Sequence, residues 1–86
     1  MGKRPMEIEA LRIVKSELAR RGVSHKALAG MLTEAGYSET ISGIRGKMHR
    51  GTFSFAWVLQ CCEVLQIDVL VLTQPSMQPK RAGDEI

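Results

Sequence analysis

The chain has 86 residues, of which 44% are hydrophobic and 24% charged, and a formal net charge of +3. This is one small domain, able to bury only about 60% of the surface its unfolded chain exposes. No apolar run is long enough to cross a bilayer, the start MGKRPMEIEA lacks the apolar core of a signal peptide, and Met6 spoils a myristoylation match. The expectation is a cytoplasmic chain with no membrane partner.

In chain order, the spacing predicts a first helix from about Met6 to Arg21, where Ile8, Leu11, Val14 and Leu18 make one apolar stripe. Gly22 stops it, and Val23 is placed to pack back on Leu18 as in a Schellman ending. Ser24 is a good N-cap for a second helix, with Val23 and Leu28 spaced as a hydrophobic staple. Leu28, Met31 or Leu32, and Ala35 form its stripe. Gly36 ends it, with Tyr37 placed to fold back on Leu32.

A third helix opens at Ser38 or Thr40, with Glu39 near its positive end. Ile41, Ile44 and Met48 are its apolar stripe. Lys47, His49 and Arg50 suit its negative end, and Gly51 closes it. A fourth helix starts after Ser54, with Phe53 and Val58 as another staple. It is apolar on two sides, Phe55, Val58, Cys62 and Leu65 on one, Trp57, Cys61 and Val64 on the other. "IDVLVL", residues 67 to 72, reads as a short strand or a last turn of helix. The domain then spans residues 1–73, and residues 74–86 read as a flexible tail with little to bury. The fold class expected is all-α, a bundle of four to five helices containing a helix-turn-helix.

"LARRGVSHKALAGML" resembles the first half of a phage-repressor-type helix-turn-helix, through Gly22, Val23, Ser24, Leu28 and Ala29. "HRGTFSFAWVLQCCEVLQID" is similar to the second half, in which Gly follows the recognition helix and a hydrophobic helix packs behind it. The match spans about residues 10 to 70. It looks closest to a small, poorly characterised bacterial domain family of this class. Members carry a Lys-x-x-Arg-Gly-x-Phe-Ser-like segment, matched here by Lys47, Arg50, Gly51, Phe53 and Ser54. The sequence departs from the phage-repressor pattern in one place: Ala29 to Gly36 is seven residues rather than about four or five. Helix 2 is therefore longer, or the turn wider. The resemblance implies double-stranded DNA binding in the major groove by a bacterial transcriptional regulator, although fold alone does not fix function.

The charge pattern points the same way. Residues 1 to 50 carry ten Lys/Arg against five Asp/Glu, or +5, while residues 51 to 79 carry Glu63 and Asp68 and no base, or −2. An anionic partner for the first half is expected. Helix 3 also holds Gly43 and Gly46, each costing on the order of 1 kcal/mol against alanine. At about 100° per residue, a core side of Ile41, Ile44 and Met48 leaves Gly43, Gly46 and Arg50 opposite, flanked by Ser42 and Lys47. Arg45 lies nearer the core boundary, as a phosphate contact or an internal ion-pair partner. Bare backbone beside cations suits close approach to a duplex. The expected DNA-binding residues are Ser42, Gly43, Arg45, Gly46, Lys47 and Arg50, with Lys26 and Thr52 as phosphate contacts and Arg50 as the base reader.

The helix dipole already explains Arg20 and Arg21. His25 and His49 have no Cys or acid nearby at ligand spacing, and the adjacent Cys61 and Cys62 read as buried, so no metal and no cofactor is expected. No catalytic set stands at convincing spacing, and the chain is not read as an enzyme. The rival reading is a protein-interaction module on the same scaffold, the glycine face receiving a partner helix. RNA binding is weaker, because few aromatics are available to stack on bases. A homodimer through helix 4 and residues 67–72 is expected, since the Trp57 stripe would otherwise be exposed and a lone strand needs an edge.

Overall fold

A computed structural model describes residues 6–72, and the tail expected from residue 74 onward lies outside them. Four helices follow in order: α1 (Met6–Arg21), α2 (His25–Glu34), α3 (Ile41–Arg50) and α4 (Phe55–Leu65). The fold is all-α, and among the described residues there is no strand.

The helix ends follow from local chemistry. Ser24, Thr40 and Ser54 have extended backbone and cap α2, α3 and α4, their hydroxyls accepting from the N–H groups of Ala27, Gly43 and Trp57. At the other ends, Gly22 and Gly36 take positive φ. Val23 N–H donates to the Leu18 carbonyl and Gly22 N–H to that of Ala19. Tyr37 and Gly36 repeat the pattern on Leu32 and Thr33. Both are Schellman endings. α2 runs on to Glu34, so the long Ala29–Gly36 spacing is mostly helix, and residues 35 to 40 then pass from α2 to α3.

Gly51 does two jobs. Its φ of 71° lets the Gly51 N–H cap Lys47, and a Cβ there would stand 3.0 Å from the Glu7 carbonyl oxygen. The end of α3 is thereby seated against the start of α1.

The core consists of Val14 and Leu18 from α1, Leu28, Ala29 and Leu32 from α2, Ile44 and Met48 from α3, and Trp57, Cys61 and Leu65 from α4. α2 lies at its centre, packed on both α3 and α4, and its Leu28 and Leu32 are fully buried together with Ile44. Glu17 is buried as well, paired with Arg20 and Arg21 one turn on. The two arginines are thus held by an acid in addition to the dipole.

Three expectations are corrected. Ile8 is 53% exposed, so the core stripe of α1 begins at Leu11. On α4 the inward stripe is the one containing Trp57, which is 5% exposed, while Phe55 is 70% exposed. Trp57 is therefore covered within one chain and leaves nothing for a second copy to bury. Residues 67–72 are neither strand nor helix but irregular chain with bends. Gln66 turns into the left-handed region and Ile67 N–H returns to the Cys62 carbonyl at 2.8 Å, so the helix cannot continue.

Candidate nucleic-acid interface

α3 is held from below by Ile44 and Met48, and its N-terminus by Glu39. This glutamate precedes the N-cap and turns inward, its side chain only 7% exposed. Its Oε1 accepts from the Trp57 indole Nε1 at 2.8 Å and from Lys47 Nζ at 3.4 Å, while Oε2 faces the Thr40 N–H at 3.3 Å. The Lys47 ammonium also stands 5.4 Å from the centroid of the Trp57 ring, a cation–π distance. Lys47 is therefore part of an internal cluster joining α3 to α4, rather than a free cation on the outward side.

Both glycines of α3 are half-buried, and both have intramolecular occupants. A Cβ on Gly43 would stand 2.5 Å from Glu39 Oε2 and 3.2 Å from Thr40 Oγ1. Gly43 is bare so that the buried carboxylate fits. A Cβ on Gly46 would stand 3.1 Å from Arg50 Nη1. The Arg50 guanidinium folds back over Gly46, and the missing side chain lets it lie close to the helix.

The exposed residues of α3 are Ser42, Arg45, His49 and Arg50. α3 itself contains no acid, and Glu39 before it is engaged internally, while Glu7 of α1 lies at its far end against Gly51. Thr52 is exposed just beyond the helix end, and Lys26 is exposed in the first turn of α2. Lys26 and Arg45 meet across an open groove of about 500 Å³, which also takes Lys15 from α1 and His25 from the start of α2. Of the predicted residues, Ser42, Arg45, Gly46 and Arg50 come together on one side of α3. Lys26 joins them through the groove, and Gly43 and Lys47 belong to the Glu39 cluster.

Sequence reasoning missed Glu39, Lys15 and the exposure of His49. The signal for Glu39 was available: it is the only acid between Glu34 and Glu63, and it stands beside the Thr40 cap. His49 was legible as well, seven residues and two turns beyond Ser42.

The cysteines are free, Cys61 buried and Cys62 half-buried. Burial first, then the neighbouring charges of Cys62 and Glu39, push the Cys61 thiol up to about 12. Burial also raises Cys62. Neither is an activated thiolate. Among the described residues no three His, Cys, Asp or Glu side chains gather as a metal site, and no helix is long and apolar enough to cross a membrane.

Neither the curated proteins nor the solved structures contain a match to this chain. A family model described as "Domain of unknown function (DUF6471)" matches residues 6–70, nearly all of the described structure, and the chain belongs to that family.

Proposed function

We propose that the chain is a bacterial, cytoplasmic, sequence-specific DNA-binding protein that places α3 in the major groove and regulates transcription. One observation carries this reading: the exposed side of α3 offers Ser42, Arg45, His49 and Arg50 over the bare backbone of Gly46, with Glu39 turned inward. The order of α1 to α4 and the resemblance to phage-repressor-type helix-turn-helix domains support it. Arg50 is the base reader, since Arg is the commonest partner of guanine O6 and N7. Arg45, Lys26 and Thr52 position the phosphate backbone. Lys47 acts through the seat of α3, in keeping with its tie to Glu39.

Selection of bound sequences from random duplex DNA tests the proposal. A recovered motif whose affinity falls steeply with salt supports it. Absence of any enriched motif, with salt-insensitive binding of a protein partner, favours the interaction module instead. Phe55 and Leu59, four residues apart on α4 and 70% and 54% exposed, are the exposed apolar groups of α4 available to such a partner, beside Val69 and Leu72 further on. A homodimer through α4 and residues 67–72 would rest on the same groups, in place of Trp57. Half-sites about 34 Å apart and a dimer mass in light scattering support the homodimer; a monomer mass with and without DNA removes it.

A further inference from the structure

We infer that the groove between α1 and the start of α2 is a phosphodiester seat, which grips the sugar–phosphate backbone of one DNA strand beside α3. The inference rests on the proposed DNA reading and adds a second contact surface to it, to which α1 contributes.

Three helices each bring one permanent cation to this groove: Lys15 from α1, Lys26 from α2 and Arg45 from α3. His25 adds an imidazole. No Asp or Glu lines it, and none of the three cations is held in an ion pair among the described residues. This sets them apart from Arg20, Arg21 and Lys47, whose charges are answered by Glu17 and Glu39. Unanswered cations converging on one concavity repel each other. The arrangement is favourable when an anion enters.

The backbone adds to the cations. Ser24 caps α2 through Ala27, and the N–H groups of His25 and Lys26, at the positive end of the helix, have no acceptor among the described residues. The floor is Leu18, Ala19 and Val23, and most of the groove's surface is apolar. A free phosphate ion, hydrated on every side, makes no use of such a floor. A diester carries deoxyribose carbons beside its charge and fits both halves. Arg45 connects the groove to the exposed side of α3, so a strand seated here runs directly alongside the helix that reads the bases.

The test uses the whole chain with Lys15→Gln, Lys26→Gln and Arg45→Gln, singly and together. All three are exposed, and thermal melts check that the variants fold. Binding to a selected duplex is measured against salt, and inorganic pyrophosphate and a thymidine dinucleotide are titrated in amide NMR. Each substitution should lower the slope of log K against log salt by about 0.9, the value for one neutralised phosphate in B-DNA, with base preference unchanged. The dinucleotide should shift the His25 and Lys26 amides at lower concentration than pyrophosphate, and the triple variant should abolish the shift. Unchanged duplex affinity and slope in Lys15→Gln would overturn the seat while leaving DNA binding intact. If the native chain binds no duplex, the DNA reading fails, and the titrations decide for the groove alone. Dinucleotide shifts lost in the triple variant then uphold a phosphodiester site. Pyrophosphate shifts without dinucleotide preference, or no shifts, overturn it.

Discussion

The Trp57 indole N–H donates to Glu39 Oε1 at 2.8 Å, across eighteen residues of chain. The bond joins the start of α3 to the first turns of α4. Phe53 packs on the same indole, ring centroids 5.2 Å apart, and Lys47 covers it from α3. Trp57 is 5% exposed, so its N–H has no water to turn to if the acceptor is removed. Glu39→Ala should destabilise the fold by about 1–3 kcal/mol, the cost of a buried unsatisfied donor. Glu39→Gln keeps an acceptor oxygen and loses only the partly exposed pair with Lys47, worth about 0–1 kcal/mol. Urea melts followed by the fluorescence of Trp57, the only tryptophan, measure both. Equal stability of Glu39→Ala and the native chain would show that this bond does not hold α3.

The two α3 glycines should respond to alanine with opposite signs. At Gly46 the added methyl meets only the far end of the Arg50 side chain, which can swing away. Helix propensity then dominates, and Gly46→Ala should stabilise the fold by up to about 1 kcal/mol. At Gly43 the methyl strikes the carboxylate that holds Trp57, Lys47 and the Thr40 N–H. The same gain of about 1 kcal/mol is set against disruption of buried hydrogen bonds worth about 1–3 kcal/mol, so Gly43→Ala should be destabilising on balance. Thermal melts of the two variants side by side decide it. Stabilisation by both would mean that Glu39 relaxes freely.

These glycines also mark where reading the sequence stops. Helix ends were legible because they are local: Ser24 and Ser54 open stretches of helical apolar spacing, and Gly22, Gly36 and Gly51 each follow within about one turn of the last apolar residue of such a stretch. The expectation that Gly43 and Gly46 lie opposite Ile44 followed from helix geometry alone. What fills the space above them did not. Glu39 reaches Trp57 from a turn, and Arg50 folds backward along its own helix, and neither is set by periodicity. The same gap misassigned α4. With apolar residues on two sides, nothing in the spacing says which one a distant glutamate will satisfy, and Trp57 went inward while Phe55 stayed out.

Alkaline pH should weaken the fold. The Cys61 thiol, ordinarily near 9.0, is raised to about 12 by burial. Tyr37, whose hydroxyl donates to Glu63, is also raised, first by that hydrogen bond. Between pH 9 and 12 the unfolded chain releases the Cys61 proton and the folded chain keeps it. The unfolded state therefore binds fewer protons, and stability falls with rising pH. The contribution is complete below pH 9 and lost toward pH 12. Denaturation midpoints across pH 8 to 11 measure this limb, and Cys61→Ala should flatten it whatever its effect at pH 8. Thiol labelling gives an independent reading, with half-buried Cys62 modified before Cys61. A limb of unchanged slope in Cys61→Ala would assign the alkaline loss to other groups.

Arg50 and Lys47, three residues apart on α3, should separate recognition from seating. Arg50 is exposed and rests on Gly46, so Arg50→Ala should leave fold stability within about 0.5 kcal/mol. If Arg50 reads a base, discrimination at one base pair of the selected site should fall by about 1–3 kcal/mol, with the other positions still read. Lys47→Ala takes the ammonium from Glu39 and from the Trp57 ring, so its first effect should be on the fold, about 0.5–1 kcal/mol. If α3 reads bases as proposed, the effect on DNA should be a uniform weakening across sequences, because a loosened α3 would present every base contact less well. Anisotropy titrations at one salt concentration, on duplexes altered one pair at a time, give both profiles. A uniform loss in Arg50→Ala would make this arginine a backbone contact. A loss confined to one base pair in Lys47→Ala would mean that the lysine leaves Glu39 when DNA arrives, and that the internal cluster is a resting arrangement of α3.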